Sequence, residues 1–240
     1  MSEEMYESSQ LAQLVESQWK KWLLLTKPKP PQKPQALFPT ITISRERGSG
    51  GGLIGHLVAE RLGFVMLDSE IVDHVAKSAA VDRMIVAHMD EQSQRSVEHW
   101  TSKVLHNQKF TALSYMGHLA KAIVAAGEKG RAVIVGRGAH LLLPSERCLR
   151  VRTIAPLEVR VARLCSTGLE RAAAESIIKD TDAQRSQFIR DNFQESDANP
   201  MLYDLVINTA GITLETAADL IVRAAEAKFP QILEARLASV

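Results

Sequence analysis

The feature that most constrains the fold of this chain is an alternation, from residue 40 onward, of short apolar segments with helical ones. Five segments are rich in β-branched and apolar residues, as strands are: TITIS (40–44), FVMLD (64–68), AVIVG (132–136), LRVRTI (149–154) and YDLVINT (203–209). Because strand–helix alternation is typical of βαβ units, the sequence predicts a three-layer α/β domain with a parallel sheet.

Helical spacing is clearest after the first strand and near the end of the chain. A stripe formed by Leu53, Ile54, Leu57, Val58 and Leu62 ends at Gly63, and residues 213–227 repeat the pattern. The AVIV segment is apolar at every position, which predicts a central strand covered on both faces. Residues 69–130 are long and helix-rich, and we interpret them as a helical insert between the second and third strands.

The first 38 residues have a different character. Residues 10–26 carry apolar side chains, including Trp19 and Trp22, on one face at helical spacing. Five of the nine prolines follow between Pro28 and Pro39, a composition that favours an extended connector. We therefore divide the chain into an amphipathic helix with a proline-rich linker (1–38) and a single domain (39–240). The helix either docks on its own domain or mediates self-association or binding to a protein partner.

Composition excludes several function classes. The formal net charge is +1, so no overall electrostatic attraction favours nucleic acid or a membrane surface. No apolar run approaches the roughly 20 residues that cross a bilayer. The two cysteines, Cys148 and Cys165, are too few for a disulfide framework, and the acidic N-terminus does not resemble a secretory signal. We expect a cytoplasmic protein with reduced thiols.

A glycine-rich loop follows the first strand in the stretch ITISRERGSGGGLIG (41–55). Between a strand and a helix, glycines allow backbone amides to converge on a phosphate, and the helix N-terminus adds partial positive charge. The usual pattern, G-x-x-x-x-G-K-[ST], departs here at three of four positions: Arg45 stands for the first glycine, Gly51 for the lysine and Gly52 for the hydroxyl. The loop is therefore either a degenerate phosphate site or only a tight turn.

Further motifs bear on this choice. ISRERGSGG followed by IGHLVAERLGFVMLDSEIV, and then VIVGRGAHLLL, APLEVRVARL, DAQR and YDLVINT in that order, resemble the cytidylate-kinase-like branch of the P-loop nucleoside monophosphate kinases. That branch likewise lacks the lysine. The resemblance covers about residues 40–225. It implies a P-loop fold with five parallel strands, an acceptor-binding insert over 69–130 and an arginine-bearing lid after the fourth strand.

The resemblance also implies an activity, the transfer of a phosphoryl group from ATP, with Mg²⁺, to a small nucleotide acceptor. Its phosphate-binding residues are expected at Arg45, Arg47, Gly48, Ser49, Gly50, Gly51 and Gly52. Arginine suits phosphoryl transfer because its charge is permanent and its fork contacts two oxygens at once. The arginines expected to act in catalysis are Arg137, Arg160, Arg163 and Arg185. The alternative for Arg160 and Arg163 is a solvated helix face paired with Glu158 or Glu170.

Arg137 is the strongest of these candidates, because it follows an apolar strand and lies between two glycines. Either Arg45 or Arg47 could replace the missing lysine from a different backbone position; alternatively, Arg45 pairs with a carboxylate such as Glu46.

Acceptor-binding residues are expected at Asp68, His74 and Arg190. Two positions depart from cytidylate kinase itself: His74 stands where that enzyme has an arginine, and Gly138 where it has an acidic residue. These departures weaken the case for cytidylate as the acceptor. Magnesium has no assured protein ligand, because neither Ser44 nor Ser49 fills the usual position.

Three hypotheses remain at this stage. The first is a kinase for a small nucleotide-like acceptor. The second is a nucleotide-binding module that has lost turnover and serves as a sensor or protein partner. The third is a scaffold whose glycines serve only the fold and whose N-terminal helix makes the important contact.

Overall fold

A computed structural model describes residues 39–70, 72–73 and 115–232. The predicted N-terminal helix, most of the proline-rich linker, His74 and the larger part of the predicted insert lie outside these residues.

The described residues contain a five-stranded parallel sheet, as predicted. Its strands are β1 (Thr40–Arg45), β2 (Val65–Leu67), β3 (Ala132–Val135), β4 (Cys148–Ile154) and β5 (Leu205–Asn208). Their order across the sheet is β2-β3-β1-β4-β5, and every neighbouring pair is parallel. β1 therefore lies at the centre, between β3 and β4, and β2 and β5 form the edges.

Helices connect and cover these strands. They are α1 (Gly51–Leu62), α2 (Tyr115–Lys129), α3 (Ala139–Leu142), α4 (Leu157–Cys165), α5 (Arg171–Phe193) and α6 (Leu214–Lys228), with short 3₁₀ turns at Ser145–Arg147 and Pro200–Leu202. α6 begins with Thr213 as its cap, because the Thr213 side chain accepts a hydrogen bond from the Thr216 amide. α1 ends at Gly63, in the left-handed conformation that glycine favours.

β3 separates two cores and explains the three layers. Ala132 and Ile134 belong to the core that contains α2 and α3, whereas Val133 and Val135 belong to the core that contains α1 and α6. All four residues are buried. The prediction of a strand covered on both faces is confirmed, and the three-layer α/β architecture follows from it.

Two details of the sequence interpretation change. Leu53 was assigned to the apolar stripe of α1 but is 52% exposed, because the buried face of the helix runs through Gly51, Ile54, Gly55, Val58 and Ala59 and Leu53 lies beyond its edge. Residues 115–129 were assigned to the helical insert but form α2, whose buried side chains, such as Leu119 and Ile123, pack in the core beside the sheet.

The sheet order brings three strand ends together. Ser44 pairs with Arg152 and Arg45 with Thr153 across β1 and β4, and the Gly136 amide donates to the Ile43 carbonyl at 3.0 Å. The segments that leave β1, β3 and β4 at their carboxyl ends are therefore neighbours. Ligands of open α/β sheets bind at this edge, where the direction of the connections reverses. Within the described residues, no helix is both long and apolar enough to cross a membrane.

The two cores can be tested separately. Ile134→Ala in the α2 core and Ile41→Ala in the α1 core each remove a fully buried side chain, so each should lower the free energy of unfolding by about 2–5 kcal/mol. Val206→Ala on the exposed edge strand should lower it by less than about 1 kcal/mol. Urea denaturation measures all three. A small effect at Ile134 or at Ile41 would contradict a sheet covered on both faces.

Candidate phosphate-binding site

The glycine loop, residues 46–50, connects the end of β1 directly to α1. Gly48 and Gly50 adopt left-handed backbone angles, with φ values of 83° and 86°. The amides of residues 50–53 are those that a helix beginning at Gly51 leaves unpaired, and Ile54 donates the first intrahelical bond, to Gly50 at 2.9 Å. The loop thus presents backbone N–H groups at a helix N-terminus, which is a suitable arrangement for an anion.

Gly51 explains why no lysine stands in this loop. A Cβ atom at Gly51 would lie 2.5 Å from the Arg45 Cβ and 2.6 Å from the Thr153 hydroxyl oxygen. Both neighbours are anchored to strands at the centre of the sheet, so neither can move aside easily. A Cβ at Gly52, in contrast, would meet no heavy atom within 4 Å.

Ser49 fastens the loop instead of facing outward. It is fully buried, and its hydroxyl donates to the Glu46 carbonyl at 2.9 Å and lies 2.9 Å from the Thr153 hydroxyl. Its own carbonyl accepts a hydrogen bond from the Thr209 hydroxyl at 2.9 Å. The loop is therefore tied to the ends of both β4 and β5, and the Ser49 hydroxyl is already occupied.

The two arginines of α4 also point at the loop. Arg163 donates to the carbonyl of Gly48 at 3.3 Å and to the carbonyl and hydroxyl of Thr209 at 2.6 and 2.8 Å. Arg160 donates to the Arg47 carbonyl at 3.3 Å and to a carboxylate oxygen of Asp182. The sequence offered Glu158 as one alternative partner for these arginines. That prediction is wrong, because Glu158 pairs with Arg171. Both arginines reach the loop, where they hold its carbonyls.

Beside the loop lies a cleft of about 240 Å³. It is lined by Ser44, Arg45, Ser69, Gly136, Arg137, Gly138, Arg152, Thr181, Gln184, Arg185, Phe188, Ile189 and Asp197. Residues from the ends of β1, β3 and β4 and from α5 therefore share one cavity. We call it the arginine cleft.

Arg45 is the residue that connects the loop with the cleft. A Cβ at Gly136 would lie only 2.0 Å from the Arg45 Nη1, so the guanidinium lies directly against the glycine after β3. Its Nη2 is 3.4 Å from the Ser69 hydroxyl oxygen, and Arg185 donates to the Arg45 carbonyl at 3.1 Å. Glycine at position 136, where φ is 90°, leaves open the space that the guanidinium occupies.

The charge around Arg45 is unbalanced. Burial, together with the positive charges of Arg185 and Arg137, lowers the pKa of Arg45 to about 9, although Asp68 opposes this effect. Arg45 remains charged at neutral pH. Among the residues that the structure describes, no carboxylate lies within ion-pair distance of its guanidinium. A partly buried cation beside two like charges favours the binding of an anion.

Arg137 lies in a strained turn. Gly136, Arg137 and Gly138 all have positive φ values, of 90°, 54° and 68°, and this region is uncommon for a residue with a side chain. The Arg137 side chain pairs with Asp73 and lies over the Phe188 ring, 5.8 Å from its centroid. The other Asp73 oxygen accepts a hydrogen bond from the Tyr115 hydroxyl at 2.7 Å.

Gly138 is fixed by packing. A Cβ at this position would lie 2.5 Å from the Phe193 ring. The acidic residue of cytidylate kinase therefore has no room here while Phe193 occupies the site.

A family model described as cytidylate kinase-like matches residues 40–211, from β1 through β5 and including the glycine loop and the arginine cleft. This chain belongs to the cytidylate kinase-like family.

Other similarities are more distant. A crystal structure from Eubacterium ventriosum has a TM-score of 0.63 at 21% identity, covering 79% of this chain and 98% of that one, which shows a shared fold. A shikimate kinase from Acinetobacter baumannii has a TM-score of 0.40 at 15% identity, covering 80% and 95%. A uronate isomerase from Corynebacterium glutamicum is 38% identical over 100 residues, which are 41% of this chain, and the match spans only 19% of that isomerase.

The remaining acceptor candidates of this kinase-like chain occupy varied positions. Asp68 accepts a hydrogen bond from the Glu70 amide at 3.0 Å and so caps the helical residues that follow β2. Arg190 is exposed on α5, outside the cleft lining, and donates to Gln187 at 2.8 Å. Arg47, which was predicted to bind the nucleotide phosphates and not the acceptor, has an exposed side chain, while its backbone amide donates to Asp182 at 2.7 Å.

Sequence reasoning missed a polar network behind the cleft. Arg152 is 8% exposed and donates to Asp197 at 3.2 Å and to the Tyr203 hydroxyl at 3.3 Å. His140 stacks on Tyr203 and lies 3.2 Å from the Ser44 hydroxyl oxygen. An arginine in the middle of the apolar segment LRVRTI was the signal that could have pointed to this network.

The state of His140 limits its chemistry. Burial, followed by the charges of Arg152 and Arg150, lowers the pKa of His140 to about 3. The imidazole is therefore neutral at pH 7 and too weak a base to accept a proton during turnover. It supports Ser44 sterically and by hydrogen bonding.

The family implies ATP and Mg²⁺, and the two fit this chain differently. The loop amides and the arginines suit the phosphates of a nucleotide. For magnesium, the Ser49 hydroxyl is occupied, Gly51 and Gly52 carry no side chain, and the described residues contain no cluster of three His, Cys, Asp or Glu able to hold a metal. The described residues therefore contain no set of side chains that would hold magnesium without further ligands.

The two adjacent glycines provide a matched test of the loop geometry. Gly51→Ala should lower the free energy of unfolding by about 1–3 kcal/mol, because its methyl group collides with Arg45 and Thr153. Gly52→Ala should leave it unchanged or raise it by up to about 1 kcal/mol, because alanine is the better helix former and space is open. Thermal or urea denaturation measures both. Equal effects at the two positions would contradict the crowding at Gly51.

Proposed function

We propose that this protein transfers a phosphoryl group from ATP to a small nucleotide-like acceptor. The observation that carries the proposal is the cluster of Arg45, Arg137 and Arg185 around one cleft at the mouth of the glycine loop. Phosphoryl transfer needs the phosphates held in line and their charge neutralised, and little else from the protein.

The donor phosphates would bind to the loop. The unpaired amides at the start of α1 would contact phosphate oxygens, with Gly48, Gly50, Gly51 and Gly52 allowing close approach. Arg45, the last residue of β1, would replace the missing lysine, since its guanidinium is partly buried, charged and without an ion-paired carboxylate among the described residues. Arg160 and Arg163 would act by holding the loop's carbonyls, and Arg160 could also turn toward a phosphate.

The acceptor would bind in the arginine cleft. Arg137, held by Asp73 and by Phe188, would contact the acceptor's anionic group, and Asp68 would position the helix that follows β2. His74 and Arg190 remain predictions from the family resemblance. Because Phe193 occupies the space beside Gly138, we propose an acceptor other than cytidylate.

In the chemical step, an acceptor oxygen would attack the γ-phosphorus of ATP. The bond to the β–γ bridging oxygen would break, and ADP would leave with the electron pair. Arg45 and Arg185 would neutralise the charge that develops on the transferred group and on the leaving oxygen. The proton of the acceptor hydroxyl or phosphate would pass to phosphate oxygens or water, since His140 is too weak a base.

A second candidate function is a nucleotide-binding module without turnover. Two observations favour it: Gly51 leaves no room for the lysine, and both terminal nitrogens of Arg163 already donate hydrogen bonds to Gly48 and Thr209. A protein partner bound through the N-terminal helix and a cytoplasmic location belong to both candidates and rest on the sequence alone.

The decisive experiment is ADP release from MgATP in the presence of a panel of nucleoside monophosphates. We expect acceptor-dependent ADP release by the wild-type protein and a loss of about 100-fold or more in Arg45→Gln, the size of effect that follows removal of one charge-stabilising donor. The melting temperature of Arg45→Gln should equal or exceed that of the wild type, because the charged form of Arg45 is disfavoured in the folded protein.

Arg171→Gln is the matched control, since Arg171 is exposed and pairs only with exposed carboxylates among the described residues. It should retain wild-type turnover. An absence of acceptor-stimulated ADP release would reject the kinase, and ATP binding by that same protein would then favour the module without turnover.

A further inference from the structure

One carboxylate contacts the same loop and two of the arginines to which the proposed function assigns phosphate groups. Asp182 projects from α5, and its Oδ1 accepts a hydrogen bond from the Arg47 backbone amide at 2.7 Å. Its Oδ2 accepts from the Arg160 guanidinium, and the Arg185 Nη1 lies 3.9 Å from Oδ1. A loop amide and two guanidiniums are the ligands that proteins use for a phosphate group.

Arg160 does not need Asp182 to neutralise its charge, because a second carboxylate lies next to it. Glu46 already lies 3.6 Å from the Arg160 Nε and accepts a hydrogen bond from the Ala155 amide at 3.0 Å. Arg160 therefore has a carboxylate from its own side of the site, and Asp182 is a second one that arrives from a different helix, 22 residues along the chain. The second carboxylate brings α5 onto the glycine loop.

We propose that Asp182 is an internal anion that competes with phosphate for the glycine loop, and that a bound phosphate displaces it. The inference rests on the proposed function. In the structure described here, the Asp182 carboxylate occupies one loop amide and holds two cationic side chains. When phosphate binds, the carboxylate leaves, and Arg160 and Arg185 become available to phosphate oxygens. Asp182 thereby sets the affinity of the loop for anions.

The charge of Asp182 and its exposure to water both favour its displacement by a bound phosphate. A unit negative charge a few ångströms from a bound phosphate weakens its binding unless the charge moves away. Asp182 is 27% exposed, so water can solvate the carboxylate after it leaves the loop. The same contact stabilises the free protein, because it joins α5 to the loop and to α4. The carboxylate therefore raises stability and lowers anion affinity.

The test uses full-length protein and calorimetric titration with pyrophosphate and with ATP at fixed ionic strength. Asp182→Asn keeps the shape of the side chain and removes its charge, and Asp182→Ala removes both oxygens. We expect both variants to bind both ligands about 10-fold more tightly than the wild type. Their melting temperatures without ligand should fall, because Arg160 loses a partner. A purely structural role for Asp182 would lower stability and affinity together.

Asp180→Asn is the matched control. Asp180 lies on the same helix, is exposed and accepts a hydrogen bond only from Ser176 among the described residues, so its removal changes the net charge equally without contact to the loop. It should leave the affinity for pyrophosphate within about twofold of the wild type. An equal gain in Asp180→Asn would overturn the proposal, since net charge alone would then explain the result.

The other possible results of the titration also distinguish between the internal anion and the proposed function. Binding of ATP by the wild type with unchanged or weaker binding in both Asp182 variants overturns the internal anion and leaves the proposed function intact. Binding in the Asp182 variants without measurable binding in the wild type supports the internal anion and argues against efficient turnover by the natural chain. Silence in all variants overturns both proposals together.

Discussion

The position of β1 between β3 and β4 is the constraint on which the rest of the site depends. Parallel pairing on both sides fixes the ends of three strands at one edge, so Arg45, Gly136 and Thr153 become neighbours although they are far apart in sequence. The glycine loop then has a strand on each side. Thr153 and Thr209 hold it through Ser49, and the α4 arginines hold its carbonyls.

This packing explains why the loop has glycine at the position where the usual pattern has lysine. Gly51 has no room for a side chain because Arg45 and Thr153 stand against it. The same arginine that excludes a lysine carries its guanidinium into the cleft, where burial and then two further arginines lower its pKa. Positive charge has therefore not been lost from the site; it reaches the site from the strand instead of from the helix. The cluster of Arg45, Arg137 and Arg185 opposes folding through repulsion between like charges, and it favours the binding of an anion. Binding sites commonly lower the stability of the free protein in this way.

The sequence predicted the framework of the fold because its signals are local. Segments of five to seven residues rich in β-branched and apolar side chains identified the five strands, and glycine at positions 48, 50 and 63 marked the turns. Leu53 was misassigned since the apolar pattern alone does not tell which side chains at the edge of the stripe face the sheet. The ordered motifs correctly indicated the cytidylate kinase-like family.

The contacts of the site could not be predicted in the same way. Arg160 and Arg163 were selected from a motif, but their actual partners, Asp182 and Thr209, lie on other elements. Which carboxylate an arginine meets depends on how α4 and α5 pack, and a single sequence contains no pattern that reports it. For the same reason Asp73 and Arg152 were overlooked, and Arg190 was expected among the acceptor contacts although Arg185, and not Arg190, lines the cleft.

The central claim is that the glycine loop binds phosphate without a lysine. The most direct measurement is the amide NMR spectrum of protein labelled with ¹⁵N-glycine during titration with ATP. The account predicts that the signals of Gly48, Gly50, Gly51 and Gly52 shift in a saturable way, while Gly63 and Gly168, which lie at other turns, do not. Unchanged loop signals at millimolar ATP, or shifts confined to glycines outside the loop, would contradict it.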